Sequence, residues 1–309
     1  MRALKKQVSM ANRSFKKLVT LLFFTLAISS SFAKSKQAFI DYPSLLNTKF
    51  YEANGGLMIK NWPIFFAPEN KSQLKIEVLF KNKPILSKTT YFESWSMPVV
   101  DGIKPKGSAR AFMSKPGDYV LQVTNNGEAI SQVAFSVSVE AGDDPFNPKK
   151  VFTRNGPWSK LAYLSSNPNR AKDGLSFNWW SRLSDLPSGQ KGKVLIKLIK
   201  DGKEVAKTKN IHINKAIWQA HTKQFRTDAN HIYTLAELTA SDGKIEIVIE
   251  SNGNPINSFN SVVEDGKLKA HPRSQLGYKP RIDFLPPKVI AKSSRKKIMV
   301  DAVWLDIKG

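Results

Sequence analysis

The sequence contains no cysteine, which excludes a disulfide scaffold, thiol chemistry, an iron–sulfur centre and a lipid-anchored cysteine. It is also poor in acidic residues. Asp and Glu number 25 against 48 Lys and Arg, and the formal net charge is +23. A field of this sign favours anionic partners such as acidic polysaccharide, lipopolysaccharide or a membrane surface, although basicity can also serve solubility alone.

The chain lacks an apolar run long enough to span a bilayer. Its N-terminal run from Leu18 to Ile28 has 11 residues, whereas a spanning helix needs roughly 20. A basic start precedes this run, and Ser31-Phe32-Ala33 follows with small residues at the positions that a signal peptidase reads. The pattern predicts a cleaved secretion signal over residues 1–33 rather than a retained membrane anchor. Six positive charges leave with it, so the mature chain carries +17 and is expected in the periplasm or outside the cell.

An internal repeat organises the mature chain. Segments of the first half recur in the second at offsets of 118 and then 126 residues, and Asn-Gly pairs follow the last of them at equivalent places. Steady offsets of this kind predict a duplicated domain. The paired segments are 56–62 with 174–180, 75–80 with 193–198, and 117–123 with 243–249.

Each copy has the pattern of short strands. The segments are rich in β-branched residues, largely alternate in polarity and end in turn-forming pairs, while only residues 216–238 suggest a short helix. The sequence therefore predicts an all-β protein with one sandwich per copy. The predicted division is domain 1 over 38–140, a linker over 141–157 and domain 2 over 158–266.

A basic extension, residues 267–309, follows the second copy. It contains eleven Lys or Arg and three Asp. Residues 297–305 predict a strand, which we expect to pack on domain 2 and add an edge strand to it.

One local motif connects the chain to a known fold. Gly117-Asp118-Tyr119 resembles the tyrosine corner of immunoglobulin-like sandwiches, although the second copy has Ile245 in place of Tyr119. Trp62 and Trp180 occupy equivalent strand positions and are expected to fill the core between sheets. The chain thus resembles bacterial immunoglobulin- or fibronectin-III-like tandem sandwich proteins, which implies two such domains without indicating a specific family.

The sequence offers no recognisable catalytic motif. Its four histidines have no metal-ligand spacing, and it has no nucleophile elbow, P-loop or dinucleotide fingerprint. Glu93, Asp101, Asp173 and Asp185 are not brought together by any pattern. We therefore predict a non-enzymatic protein without metal or cofactor. His221 and His231, which lie near Asp228 in the sequence, are interpreted as structural or surface residues.

The adjacent tryptophans suggest a binding site. Residues 179 and 180 of a strand point to opposite faces, so Trp179 is predicted to be exposed if Trp180 is inside. An exposed indole can stack on a sugar or nucleobase, and Arg170, Lys172 and Arg182 would meet an anionic substituent. The competing interpretation is that a loop or the other domain covers Trp179.

The densest basic cluster is a second candidate site. It can bind phosphate or carboxylate groups, or it can protect a sheet edge from aggregation. Its members are Lys288, Lys292, Arg295, Lys296 and Lys297.

Three classes of function remain open at this point. The first is an exported binding or structural protein of the bacterial envelope or extracellular matrix with an anionic glycan ligand, a layout similar to that of tandem fibronectin-like biofilm matrix proteins. The second is a periplasmic assembly factor or chaperone, because pilus chaperones also use two immunoglobulin-like domains. The third is a glycan-active enzyme or its accessory module. Export disfavours nucleic acid as the partner, whereas a protein partner and a homo-oligomer stay open.

Overall fold

The fold is taken from a computed structural model, which describes most of the chain after residue 38. The predicted signal, Trp62, Arg170 and Lys172 lie outside the described residues. The described ranges are 39–40, 42–47, 49–53, 55–61, 66–67, 72–92, 113–141, 150–167, 174–187, 192–214, 218–275, 284–292 and 297–308.

Antiparallel strands form most of the described structure, so the all-β prediction is confirmed. The helices are short: α1 (Tyr42–Leu46), α2 (Leu235–Thr239) and α3 (Pro272–Gln275). The strands are β1 (Phe39–Ile40), β2 (Lys49–Ala53), β3 (Gly56–Asn61), β4 (Phe66–Ala67), β5 (Ser72–Phe80), β6 (Lys83–Phe92), β7 (Gly117–Asn125), β8 (Glu128–Ala141), β9 (Lys150–Asn155), β10 (Leu161–Asn167), β11 (Gly174–Ser181), β12 (Lys193–Lys200), β13 (Lys203–Lys207), β14 (Ile211–His212), β15 (Gln219–Gln224), β16 (Gly243–Ser251), β17 (Asn254–Glu264), β18 (Lys267–Leu268), β19 (Lys288–Lys292) and β20 (Lys297–Asp306).

The same strand order occurs twice in the chain. One sheet runs β6-β5-β7-β8-β9, and another runs β13-β12-β16-β17-β18. Phe80 lies opposite Tyr119 in the first sheet, as Lys200 lies opposite Ile245 in the second. Phe80 therefore corresponds to Lys200, at an offset of 120 rather than the 118 read from the sequence. A two-residue slip keeps every side chain on its face, so the apolar pattern could not detect it.

The predicted hairpin turns are confirmed at both Asn-Gly pairs. Asn126 and Gly127 have φ of 48° and 86°, and Asn252 and Gly253 have φ of 49° and 83°. Two successive positive φ values characterise the two-residue hairpin turn that matches strand twist, and Asn and Gly tolerate them best.

The C-terminal extension contributes an inner strand. The third large sheet runs β15-β11-β10-β20-β19, so β20 lies between two neighbours instead of forming the edge strand predicted from the sequence. Trp304 and Leu305 point to opposite faces of the sheet and are both buried. Both faces of β20 are therefore covered at Trp304 and Leu305, whereas Met299, nearer the start of the strand, is 44% exposed.

Contacts across the middle of the chain join its two halves. Residues 150–155, within the predicted linker, form β9 and pair with β8. Trp158 packs against Phe135, with ring centroids 6.3 Å apart. Helix α1 meets the five-stranded sheet, because Tyr42 contacts the Trp304 ring at 5.6 Å. Phe39–Gly309 accordingly form one compact unit.

The tyrosine motif makes the hydrogen bond expected of it. The Tyr119 hydroxyl donates to the carbonyl of Lys115, four residues upstream, at 2.6 Å. This backbone contact is the feature that defines a tyrosine corner. Ile245 is buried at the corresponding place in the second half.

Candidate functional site

Of the two interpretations of Trp179, the exposed binding indole is wrong and the covered side chain is confirmed. Its side chain is 2% exposed and lies in the core with Phe177 and Phe259. Trp180 points to the opposite face of the sheet rather than into this core, and it is also buried, against Tyr163 and Asn47. Alternation separates the two faces of a strand but does not say which one meets solvent, and both faces of β11 are buried here.

The face that carries Trp180 is the candidate site, and we call it the outer face. It is the side of the five-stranded sheet that points away from the core containing Trp179. Its residues alternate with those of the core along β10, β11 and β15. They include Ser165, Ser176, Asn178 and Trp180, together with Ala220, Thr222 and Gln224. Arg182 follows β11 directly and Trp218 precedes β15, and the two side chains contact each other beside this face.

A chain of hydrogen bonds crosses three strands of the outer face. The Thr222 hydroxyl donates to Asn178 Oδ1 at 2.7 Å, and Asn178 Nδ2 donates to Ser165 Oγ at 3.1 Å. Thr222 is exposed on the edge strand β15, whereas Asn178 and Ser165 are buried. The row therefore links a solvent-facing hydroxyl to buried groups that hold it in one orientation.

Two more polar groups of this face have hydrogen-bonding capacity to spare. Ser176 and Gln224 lie directly opposite each other on β11 and β15. Ser176 Oγ and Gln224 Nε2 are buried and make no hydrogen bond to any of the described residues. Buried polar atoms normally have a partner, so such a pair points to a bound water or a ligand group.

An aromatic and basic corner borders the row near the start of β15. The guanidinium carbon of Arg182 lies 4.7 Å from the centre of the Trp218 ring. The Trp218 indole N–H donates to the Arg154 carbonyl at 3.1 Å, and the Arg154 guanidinium stacks on Trp158 at 4.6 Å. Burial lowers the pKa of Arg154 to about 9, so this cation sits in a poorly hydrated place. The stacked pairs hold Trp218 and Arg182 in fixed positions.

Arg182 retains free donors in this corner. Its Nε binds Asp185 Oδ1 at 3.1 Å. Its two terminal amino groups bind none of the residues that the structure describes, and the side chain is partly exposed. A planar guanidinium with both terminal groups available can receive a carboxylate through two parallel hydrogen bonds.

A serine and a histidine meet on the core side of the same strands. Ser181 Oγ lies 3.0 Å from His221 Nε2, and the His221 ring stacks on Trp179 at 4.8 Å. Burial, and secondarily the charge of Lys223, lower the pKa of His221 to about 4. Within the described ranges, no carboxylate binds the other ring nitrogen, and Ser181 lies in a strand paired on one side with β10 and on the other with β15. The pair thus lacks the orienting acid that a nucleophilic serine needs.

His231 and Asp228, the two polar candidates near His221 that the structure describes, bind other residues. His231 binds Glu237 at 3.1 Å and Asp228 binds Lys207 at 2.6 Å, so neither approaches His221. Glu93, Asp101 and Asp173 lie outside the described residues. Among the described residues there is no group of three potential metal ligands, and no helix there has the length and apolarity to cross a membrane.

The basic cluster maps to the β19–β20 hairpin. Lys288 is exposed and pairs with Asp301 at 2.9 Å, which neutralises its charge locally. Lys292 and Lys297 lie opposite each other where the two strands end, although their side chains are not described. Arg295 and Lys296 lie outside the described residues.

Sequence reasoning identified Arg182 but paired it with the wrong tryptophan. The partner is Trp218, which lies 36 residues away in the chain and across a strand pair in the fold. The sequence does contain a signal for this site, because polar residues follow Trp218 over residues 219–224. That segment was interpreted as part of a short helix, whereas it forms the strand β15.

Comparisons with protein-family models, curated proteins and solved structures give no match for this chain.

Proposed function

We propose that this chain is an exported, non-enzymatic binding protein of the bacterial envelope or extracellular matrix, and that its ligand is an acidic glycan bound on the outer face. The observation that carries the proposal is the placement of Arg182 and Trp218 beside the polar row that begins at Thr222. The row offers hydrogen bonds to hydroxyls, the indole offers an apolar edge, and the guanidinium offers a partner for a carboxylate.

Some of the other described lysines are paired with carboxylates. On the six-stranded sheet, Lys197 binds Glu250 at 2.9 Å and Lys308 approaches Glu246 at 3.6 Å. These exposed pairs cancel locally and form a mixed surface. Arg182 also has a carboxylate partner, Asp185, but that carboxylate binds only Nε and leaves both terminal amino groups available for a ligand.

Two immunoglobulin-like domains in tandem are the architecture we propose for this binder. The repeated strand order and the Tyr119 hydrogen bond support it. The N-terminal pattern over residues 1–33 supports export. Such domains commonly present ligands on a sheet face or at strand ends, and function is assigned here from the site rather than from the fold.

The test is a pull-down of the mature chain (residues 34–309) on immobilised polygalacturonate, with uncharged dextran as the comparison, at low and at physiological salt. We expect binding to polygalacturonate that weakens with salt. Arg182→Gln and Trp218→Ala should each reduce it at least fivefold, because they remove the carboxylate partner and the apolar edge. Lys203→Gln, an exposed cation on the other sheet, serves as the matched control and should bind like the parent.

The same experiment separates the outer face from the basic hairpin. A Lys296→Glu/Lys297→Glu variant should retain binding if the outer face is the site. Binding lost only in that variant would assign the glycan to the hairpin. If the parent chain does not bind polygalacturonate at either salt concentration, the proposal is wrong.

A further inference from the structure

We infer that Thr222 acts in this site as a hydrogen-bond acceptor held in orientation by Asn178, and that the ligand is an extended oligosaccharide with a hydroxyl at Thr222 and an acidic group at Arg182. This inference rests on the proposed function and specifies the ligand that the outer face would select.

The orientation of Asn178 is determined by its neighbours. Its Nδ2 lies 3.3 Å from the Tyr163 carbonyl, 3.5 Å from the Ser176 carbonyl and 3.1 Å from Ser165 Oγ. Carbonyl oxygens only accept, so the amide nitrogen must lie on that side. Asn178 Oδ1 therefore faces Thr222.

The direction of the Thr222 hydroxyl follows from this orientation. Asn178 Oδ1 cannot donate, so Thr222 Oγ1 uses its single proton in the 2.7 Å bond to Asn178. Only oxygen lone pairs remain on its solvent side. A ligand group at this position must donate a hydrogen bond, as a sugar hydroxyl does and a carboxylate cannot.

The row itself excludes a charged ligand group. The side chains of Thr222, Asn178 and Ser165 are all uncharged, and Thr222 presents only oxygen lone pairs on its solvent side. Transferring a carboxylate into a row without a cation would leave that charge uncompensated. The acidic part of the ligand is therefore expected at Arg182, where the cation lies.

The hydroxyl position at Thr222 and the acidic position at Arg182 are well separated. Arg182 contacts the Trp218 ring, and Trp218 is four residues from Thr222, which corresponds to about 13 Å at a rise of about 3.3 Å per residue. The outer-face residue between them is Ala220, which is small and exposed. The floor between the two anchors is therefore flat enough for a sugar unit, and a single monosaccharide cannot reach both anchors.

The experiment measures the affinity of galacturonate oligomers of one to six units for the mature chain and three variants. Thr222→Val should weaken binding of the longer oligomers about fivefold to tenfold, because it replaces the hydroxyl by a methyl of similar size. Thr222→Ser keeps the hydroxyl and should stay within about twofold of the parent. Thr89→Val changes an exposed threonine on the edge strand β6 of another sheet and is the matched control.

Chain length provides the second readout. Affinity should rise at least tenfold from the monomer to the length that spans both anchors and then level off. Arg182→Gln should abolish this rise, because it removes the second anchor. Parent-like binding by Thr222→Val, or a monomer that binds as well as the tetramer, would overturn the inference while leaving acidic-glycan binding in place. Failure of the parent chain to bind any oligomer would overturn both.

Discussion

Replacing Trp304 by alanine tests whether the C-terminal strand is part of the folded unit. The indole is 1% exposed, lies 4.8 Å from the Tyr163 ring and 5.6 Å from the Tyr42 ring, and donates to the Pro286 carbonyl at 2.7 Å. Trp→Ala in a core destabilises by about 3–5 kcal/mol, and the orphaned carbonyl adds about 1 kcal/mol. We therefore expect a decrease of about 4–6 kcal/mol in the free energy of unfolding.

Urea unfolding followed by far-ultraviolet circular dichroism measures this change. With a urea dependence of about 3 kcal/mol per molar, the midpoint should fall by about 1–2 M. Trp304→Phe keeps an aromatic ring but removes the N–H donor and should lose only about 1–2 kcal/mol. Met299→Ala lies in the same strand at a side chain that is 44% exposed and should change stability by less than about 1 kcal/mol. A Trp304→Ala midpoint that lies within about 0.5 M urea of the parent midpoint would show that the strand does not stabilise the fold.

Two further predictions concern pH and backbone space. The pKa of His221 is about 4 in the folded chain and about 6.5 in an unfolded one. The unfolded chain therefore binds the proton first as the pH falls, so the contribution of His221 to the free energy of unfolding should be complete above pH 6.5. It should fall by about 2 kcal/mol between pH 6.5 and 4, after allowing for partial exposure. His221→Gln should flatten that part of the pH–stability curve, whereas His212→Gln, at an exposed ring, should leave it unchanged. Gly192→Ala would place a Cβ 1.8 Å from the Ile213 carbonyl oxygen and should lower the melting temperature far more than Gly202→Ala, where the space is open and only about 1 kcal/mol of backbone strain is expected. Equal melting temperatures for the two glycine variants would contradict the packing argument.

The repeat and the hairpins could be predicted because they depend on local chemistry. Asn126-Gly127 and Asn252-Gly253 adopt positive φ at both positions, and few other pairs do so at small cost. The alternating strands beside them follow from the same two-residue periodicity. These features need no knowledge of what lies above or below the sheet.

The burial of Trp179 and the place of β20 depended on distant parts of the chain. Tyr42 packs on the outer face from more than 200 residues away in sequence, against Trp304. This contact covers the face that carries Trp180, while the six-stranded sheet covers the opposite face, which carries Trp179. A single sequence does not specify that both faces of a strand are covered, so alternation alone could not decide whether Trp179 is exposed.

In the candidate site, too, a residue with a local signal could be predicted and residues joined across strands could not. Arg182 was identified from its charge and its nearness to a tryptophan in sequence. Thr222, Asn178 and Ser165 were missed, because their hydrogen bonds join residues 13 and 44 positions apart across three strands. Polar residues in a strand usually signal a solvent-facing side, and only the cross-strand register shows that these form one row.

Amide hydrogen exchange in the presence of a galacturonate oligomer tests the central claim most directly. The measurement compares deuterium uptake of the mature chain with and without saturating tetramer, peptide by peptide. The account predicts slower exchange over residues 218–224 and around Arg182, with no change in the β19–β20 hairpin. Protection confined to that hairpin, or no protection anywhere, would contradict the assignment of an acidic-glycan site to the outer face.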